Sequence, residues 1–275
     1  MKIAPLIHTR TYSCDFNSEF RVRPNTFMDS DVKWARKVVL EATSSIDSLQ
    51  GERWLIADNG NCRIAGVVGF LKSICSHCNL TDEQRMMAEE MYSDDKGRLV
   101  YAFIGVVIDN VQAEDLNVLS YDYLWNTYSK LIRPVWKRRY PEVIMADFES
   151  VTAETENAKP NIESKKVDRL EMYESNPNMD YKLFSYYLCN RSMNNFSFCT
   201  NISDINAVKN CNFTIISTSS NVITRLNREV VQVVQSVQQV EINNEAAEGK
   251  KKSFVVFGIV LLIFVVIILI LLLLT

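Results

Sequence analysis

The stretch that decides the fold is Arg53–Phe70, which reads RWLIADNGNCRIAGVVGF. Two apolar runs flank Asp58–Asn61, and the Asn-Gly pair inside that segment is a strong signal for the turn of a β-hairpin. A third run, Leu99–Ile108, is apolar on both faces, which is typical of a central strand. The sequence therefore predicts a sheet that contains these three strands.

Helical patterns lie on both sides of these strands. Asp31–Leu49 and Ser120–Arg133 each carry apolar residues at helical spacing, which predicts two amphipathic helices. Thr81–Gln84 is a capping box that opens a short helix reaching Tyr92. Mixed strands and helices within residues 1–148 predict an α+β head with a mixed or antiparallel sheet and flanking helices.

The composition changes after the predicted last strand of this region, Val143–Phe148. Residues 149–180 are polar and poor in large aliphatic side chains, which predicts a polar linker with a helix near Lys166–Tyr173. Residues 181–219 carry a helical pattern and two strand patterns. Because so few residues do not easily hold a core of their own, we expect them to complete the sheet of the head.

The C-terminal end carries an uninterrupted apolar run. Phe254–Leu274 reads FVVFGIVLLIFVVIILILLLL, on the order of the 20 residues that cross a bilayer as a helix. Lys250, Lys251 and Lys252 precede it, and cations beside a span mark the cytoplasmic side. The sequence thus predicts a single-pass, tail-anchored protein whose N-terminal bulk lies in the cytosol and whose C-terminus lies across or within the membrane.

Other features agree with a cytosolic head. The first ten residues contain no apolar core of a signal peptide, and the seven cysteines are an odd number without regular spacing, which is typical of free thiols in a reducing compartment. Five Asn-x-Ser/Thr triplets would suit a secreted glycoprotein, but we interpret them as chance in a chain rich in Asn and Ser. These triplets begin at Asn79, Asn190, Asn195, Asn201 and Asn212.

Residues 221–248 show a heptad repeat before the basic flank and anchor at 250–274. Such a repeat predicts a stalk helix that self-associates as a coiled coil, and Asn244 would form a polar layer. An amphipathic helix packed on its own head, or a strand, remains an alternative because the valines widen the apolar stripe and favour strands. The predicted seam consists of Ile223, Leu226, Val230, Val233, Val237, Val240 and Asn244.

The chain offers few residues for catalysis or metal binding. It has two histidines and carries neither a Walker loop nor a dinucleotide fingerprint, so we expect no cofactor and favour a protein that is not an enzyme. Cys75, His77 and Cys78 are candidate metal ligands, since three soft donors lie within four residues. A structural zinc site needs four ligands, and no second pair stands at finger spacing, so these residues also suit ordinary structural roles.

A cluster of cations lies at the end of the helix predicted for Ser120–Arg133. We expect it to contact anionic lipid headgroups, together with the three lysines before the anchor. Nucleic acid is the less suitable ligand because the chain has a formal net charge of −3 and is tethered to a membrane. The cluster comprises Lys130, Arg133, Lys137, Arg138 and Arg139.

Together these features predict a membrane-tethered adaptor or signalling module. The head would bind a protein partner that the sequence does not identify, and self-association through the stalk would make that binding multivalent. Two alternatives remain open. One is a tethered small-molecule sensor or enzyme with an active site that carries no known motif. The other is an effector whose clustered spans perturb the bilayer.

Overall fold

Four long strands form the centre of the sheet. In the computed structural model they are β1 (Lys2–Thr9), β3 (Arg53–Asp58), β4 (Cys62–Phe70) and β5 (Tyr101–Asp109). The neighbours pair antiparallel in the order β1, β5, β4, β3, so the hairpin and the central strand expected from the sequence are confirmed. The structure describes residues 2–16, 19–44, 51–109, 119–150, 160–167, 170–189 and 196–228.

Seven shorter strands extend this centre. They are β2 (Val22–Pro24), β6 (Ile144–Ala146), β7 (Glu149–Ser150), β8 (Ser164–Val167), β9 (Leu170–Glu174), β10 (Ser197–Cys199) and β11 (Ile215–Thr218). Within the described residues the sheet has 11 strands in the order β6-β2-β1-β5-β4-β3-β10-β11-β9-β8, and β7 pairs with β1. Parallel pairs occur at β2–β6, β10–β11 and β9–β11. The fold is therefore α+β with a mixed sheet.

Helices flank the sheet on both faces. They are α1 (Asp29–Ala42), α2 (Leu71–Ser76), α3 (Asp82–Glu89), α4 (Tyr121–Ile132), α5 (Pro177–Cys189) and α6 (Ile205–Asn210). Trp54 packs on Tyr121 of α4 and on Phe184 of α5, with ring centroids 5.0 and 4.5 Å away. Its neighbour Arg53 bonds the end of α1 instead. Because side chains alternate along a strand, α1 lies on the face opposite α4 and α5.

Two glycines face each other at the centre of the sheet. Gly66 of β4 and Gly105 of β5 are cross-strand partners. A Cβ on Gly66 would overlap the carbonyl oxygen of Ile104, and a Cβ on Gly105 would overlap the carbonyl oxygen of Ala65. Backbone atoms cannot yield as a flexible side chain can, so these two positions require glycine.

Helix starts follow local hydrogen-bonding rules. Thr81 accepts a hydrogen bond from the Gln84 N–H and the Gln84 side chain accepts one from the Thr81 N–H, so the predicted capping box is confirmed. Ser120 caps α4 through a hydrogen bond from the Tyr123 N–H. Helix α1 ends at Ala42 with Thr43 as its C-cap, whereas the sequence predicted a helix to Leu49. Residues 45–50 lie outside the described part of the chain.

The region predicted as a polar linker contains strands. The helix expected at Lys166–Tyr173 is wrong, because Lys165 and Lys166 of β8 pair with Met172 and Glu171 of β9 in an antiparallel hairpin. β9 is held on its other side by β11, so Met172 and Tyr173 are both fully buried. A strand that is buried on both faces does not alternate between polar and apolar residues, so the sequence lacks the alternation that would identify it as a strand. Tertiary pairing thus decides this segment.

Two of the short elements after residue 180 are strands of the sheet. β10 pairs antiparallel with β3 through Phe198 and Ile56, and β11 pairs parallel with β10. Residue contacts divide the chain into two units, Met1–Thr224 and Arg225–Thr275. Residues 220–228 are helical. Within the described residues no helix is both long enough and apolar enough to cross a bilayer, and the expected span Phe254–Leu274 lies outside them.

Candidate functional site

The basic cluster lies where α4 ends. A short 3₁₀ turn, Arg133–Val135, follows α4 directly and contains Pro134, which cannot continue the helix. Lys130 lies in the last turn of α4, and Arg133 is its C-cap. Cations at this end of a helix are favoured by its negative dipole, so part of the cluster also stabilises the helix.

Buried residues hold the segment after α4 in place. Trp136 is 3% exposed, and its carbonyl oxygen accepts a hydrogen bond from the Tyr12 N–H at 3.0 Å. Pro141 is buried, and its carbonyl oxygen accepts a hydrogen bond of 2.9 Å from the Arg21 guanidinium, itself 1% exposed. The loop that presents Lys137, Arg138 and Arg139 is therefore fixed at both ends.

All five cations of the cluster are exposed. None forms an ion pair with a carboxylate in the part of the chain that the structure describes. Arg133 instead contacts the Met87 sulfur of α3 at 2.8 Å, and Arg139 lies over the ring of Tyr140 at 5.4 Å. The charges are thus available to a ligand that is not part of the described chain.

Two large side chains accompany the cations. Tyr140 is 80% exposed and Met145, on the edge strand β6, is 49% exposed. We call residues 130–145 the basic surface. Charged N–H donors around an exposed phenol and thioether suit an anionic oxygen ligand next to an apolar one, as occurs at a phosphate-bearing lipid headgroup.

The candidate metal ligands do not converge. Cys75 and Cys78 are buried, and burial raises the pKa of each thiol to about 12, so both stay protonated at neutral pH. Cys78 donates its S–H to the Ile74 carbonyl oxygen at 3.4 Å. His77 points instead to Glu52, with Nε2 at 3.4 Å from Oε1. Within the described residues no group of three or more His, Cys, Asp or Glu side chains could hold a metal.

The structure assembles a polar cluster that the sequence did not reveal. The Glu52 carboxylate, whose side chain is 8% exposed, accepts hydrogen bonds from the Ser73 hydroxyl and from the Tyr121 hydroxyl at 3.5 Å. The His77 ring stacks on Tyr121 with centroids 4.5 Å apart. Burial, and next the charge of Glu52, raise the pKa of Tyr121, which keeps it a hydroxyl donor. The cluster ties the start of β3 to α2 and α4.

Glu52, Ser73 and Tyr121 come from three separate stretches of sequence without a shared motif. The nearest signal in the sequence is His77, which lies between the candidate metal ligands Cys75 and Cys78. A carboxylate paired with an imidazole is a common acid–base unit, but here the Glu52 carboxylate accepts hydrogen bonds from side chains of α2 and α4 and so joins these helices to the start of β3. We therefore assign the cluster to packing.

The predicted heptad seam is described only at its start. Ile223 and Leu226 are 6% and 8% exposed. The remaining seam residues, and the three lysines before the anchor, lie outside the described residues. These are Val230, Val233, Val237, Val240, Asn244, Lys250, Lys251 and Lys252.

No known protein-family model matches this chain, and no curated protein is similar to it in sequence.

Proposed function

We propose that this chain is a single-pass, tail-anchored membrane protein whose α+β head acts in the cytosol as a binding module. The observation that carries the proposal is the apolar run Phe254–Leu274 directly after Lys250–Lys252. A helix of that length matches the roughly 30 Å hydrocarbon core of a bilayer. The lysines orient it with the head on the cytosolic side.

The thiols of the head support this topology. Cys14, Cys62, Cys75, Cys78 and Cys199 are free thiols, whereas the side chain of Cys189 lies outside the described part. Burial raises the pKa of Cys199 to about 12, which keeps this thiol protonated. Free thiols are typical of proteins in a reducing compartment.

The Asn-x-Ser/Thr triplets support the same side. The carboxamide of Asn79 donates to Asp122 at 3.1 Å, that of Asn201 to the Glu52 carbonyl at 3.4 Å, and that of Asn212 to Glu41 at 2.9 Å. Each nitrogen that a glycan would modify is thus used inside the head. Asn190 and Asn195 lie outside the described residues.

A binding role fits the head better than a catalytic one. The buried thiols are unreactive, and the Glu52 cluster joins strands to helices. By contrast, the basic surface is exposed and free of described ion pairs. Pairing of the stalk, residues 221–248, would bring two or more heads together on one membrane and raise their effective concentration for a shared partner.

The proposal is tested by translating the full chain in the presence of microsomes. We expect it to stay in the pellet after alkaline carbonate extraction, and a glycosylation acceptor added after Thr275 to be modified while the native triplets are not. The variant Val265→Arg/Val266→Arg should become extractable, because each Arg at the centre of a span costs about 2.5–3.5 kcal/mol of insertion free energy.

The matched control is Val265→Leu/Val266→Leu, which keeps the span apolar and should remain in the pellet. A full chain released by carbonate would contradict the anchor. Glycans on Asn79, Asn201 or Asn212 would contradict the cytosolic location of the head.

A further inference from the structure

We propose that the basic surface binds phosphate-bearing headgroups of an anionic leaflet and holds the head against the membrane that the anchor spans. This deepens the proposed function and rests on it, because the anchor supplies the membrane. The partner that we propose for this surface of the head is therefore the lipid bilayer and not a protein.

The basic surface differs in charge from the rest of the chain. Residues 130–145 contain five cations and one carboxylate, Glu142, which gives a formal charge of +4. The whole chain carries −3, so the remaining residues together carry −7. A positive surface on an otherwise acidic chain is attracted to an anionic membrane, and the net negative charge of the remaining residues favours the orientation in which this surface faces the lipid.

The backbone of the basic surface is fixed by hydrogen bonds to other parts of the head. Trp136 and Pro141 fix the loop between them through hydrogen bonds to Tyr12 and Arg21. The backbone N–H of Arg138 also donates to the Val135 carbonyl oxygen at 3.0 Å. A surface that is already ordered loses little conformational entropy on binding.

The exposed side chains of Tyr140 and Met145 add apolar groups to the basic surface. Tyrosine is enriched where a protein meets the headgroup level, since its ring is apolar and its hydroxyl can remain in water. Tyr140 is 80% exposed and has the Arg139 guanidinium over its ring, so cation and ring reach the interface together. Met145 adds an apolar contact of 49% exposure on the adjoining edge strand.

A membrane fits this surface better than a nucleic acid does. Proteins that bind single strands present several aromatic rings for successive bases. In residues 130–145 the other aromatic ring, that of Trp136, is buried, which leaves Tyr140 alone. The anchor also keeps lipid headgroups at a high local concentration, an advantage that a soluble nucleic acid lacks.

The test uses the full chain in lipid nanodiscs and measures amide hydrogen exchange of peptides from residues 130–145. We expect exchange to be slower in discs containing phosphatidylserine than in discs of phosphatidylcholine alone, and the difference to shrink at high salt. Each cation near an anionic surface contributes about fivefold in membrane affinity. Lys137→Glu/Arg138→Glu/Arg139→Glu should therefore abolish the slowing.

The matched control is Lys33→Glu/Lys37→Glu/Lys72→Glu, which changes the net charge equally at exposed positions outside the basic surface. It should keep the slowing. Equal exchange in both kinds of disc would overturn the inference, as would equal loss of slowing in both triple variants. Slowing in phosphatidylcholine discs by added inorganic phosphate or by an RNA oligonucleotide, without any effect of phosphatidylserine, would also overturn it.

The same experiment distinguishes an error in the proposed anchor from an error in the proposed lipid contact. If the full chain does not co-elute with nanodiscs, the proposed topology is wrong. If it co-elutes and residues 130–145 exchange at the same rate in both lipids, only the lipid contact is wrong.

Discussion

Arginines in two regions of the head have opposite surroundings. Arg53 is fully buried and Arg21 is 1% exposed, and their guanidinium groups donate to backbone carbonyl oxygens. Arg138 and Arg139 are exposed and have no ion pair among the described residues. This difference in burial and bonding distinguishes arginines that stabilise the fold from arginines that remain available to a ligand.

Asp94 defines an intermediate case. Its carboxylate pairs with Arg10 at 3.2 Å and with Arg98 at 2.7 Å. Its second oxygen accepts hydrogen bonds from the backbone N–H groups of Lys96 and Arg98 in the turn that includes Gly97. Gly97 has φ of 73°, which a residue with a side chain adopts only with strain. These cations serve the fold although Arg98 is partly exposed.

The largest effect is expected for Arg53→Met. Arg53 donates to the Ala42 carbonyl at the end of α1 at 2.7 Å, to the Ser44 carbonyl, and to the Asn201 carbonyl at 3.2 Å. All three oxygens would lose a charged donor in a buried or partly buried place, which should cost about 2–4 kcal/mol of unfolding free energy. The relief of a buried cation, which burial already penalises by lowering the pKa of Arg53, offsets part of that cost. Urea unfolding of residues 1–249 measures the change.

Arg53→Lys is the control for this prediction. Lysine keeps the charge but lacks the planar fork that reaches three carbonyl oxygens, so the unfolding free energy of the lysine variant should lie between those of the wild type and of the methionine variant. An Arg53→Met chain as stable as wild type would show that these carbonyls do not depend on the guanidinium, and would remove the contrast with Arg138.

A smaller and pH-dependent effect is expected for Asp94→Asn. Burial alone would raise the pKa of Asp94, but hydrogen bonds from Arg98, Lys96 and Arg10 outweigh it and lower the pKa from 3.8 to about 2. A carboxylate with a lowered pKa contributes stability above its unfolded pKa, and the contribution is lost as pH falls through the folded pKa. The variant should be less stable than wild type at pH 7, and the gap should narrow between about pH 4 and pH 2.

Unfolding of both chains across this pH range measures the effect. A gap that stays constant as the pH falls would mean that Asp94 does not act through its charge. Asp95→Asn is the matched control because Asp95 is exposed and adjacent, and it should change stability little at any of these pH values.

The sequence predicted the elements whose signals are local. The Asn-Gly turn, the capping box at Thr81 and the helix capped by Ser120 need only neighbouring residues, and all three are present. The cations of the basic surface could also be identified from the sequence, because residues that are close in sequence remain close in space at the end of a helix. Their exposure and the lack of described ion pairs required the structure.

The strand β1 was not predicted because its pattern is broken by Pro5. The carbonyl oxygen of Ile7 accepts a hydrogen bond from the Arg21 N–H on the outer side of β1. Pro5, two residues earlier, therefore turns its missing N–H to that same side. There β7 pairs only with Lys2 and Ile3, and β2 pairs at Ile7, so no ladder bond is lost.

Contacts between residues that are distant in the chain could not be predicted from the sequence either. Arg53 meets Ala42 and Asn201, and Glu52 meets Ser73 and Tyr121, only after the sheet has formed. Arg53 and Arg138 are the same residue type, and their different roles follow from which strand or loop carries them.

The smallest effect is expected for Arg138→Gln. The exposed Arg138 side chain has no described carboxylate partner, so the unfolding free energy should change by no more than about 0.5 kcal/mol in the assay used for Arg53→Met. The backbone N–H that bonds Val135 is unaffected by this substitution. A loss above about 1 kcal/mol would mean that the guanidinium is engaged within the chain. Arg138 would then belong with Arg53 rather than with a surface that serves a ligand. A side chain that is free for an external partner leaves the folding free energy unchanged when it is removed, so an unchanged stability is required by the proposal that Arg138 contacts the membrane but does not by itself establish it.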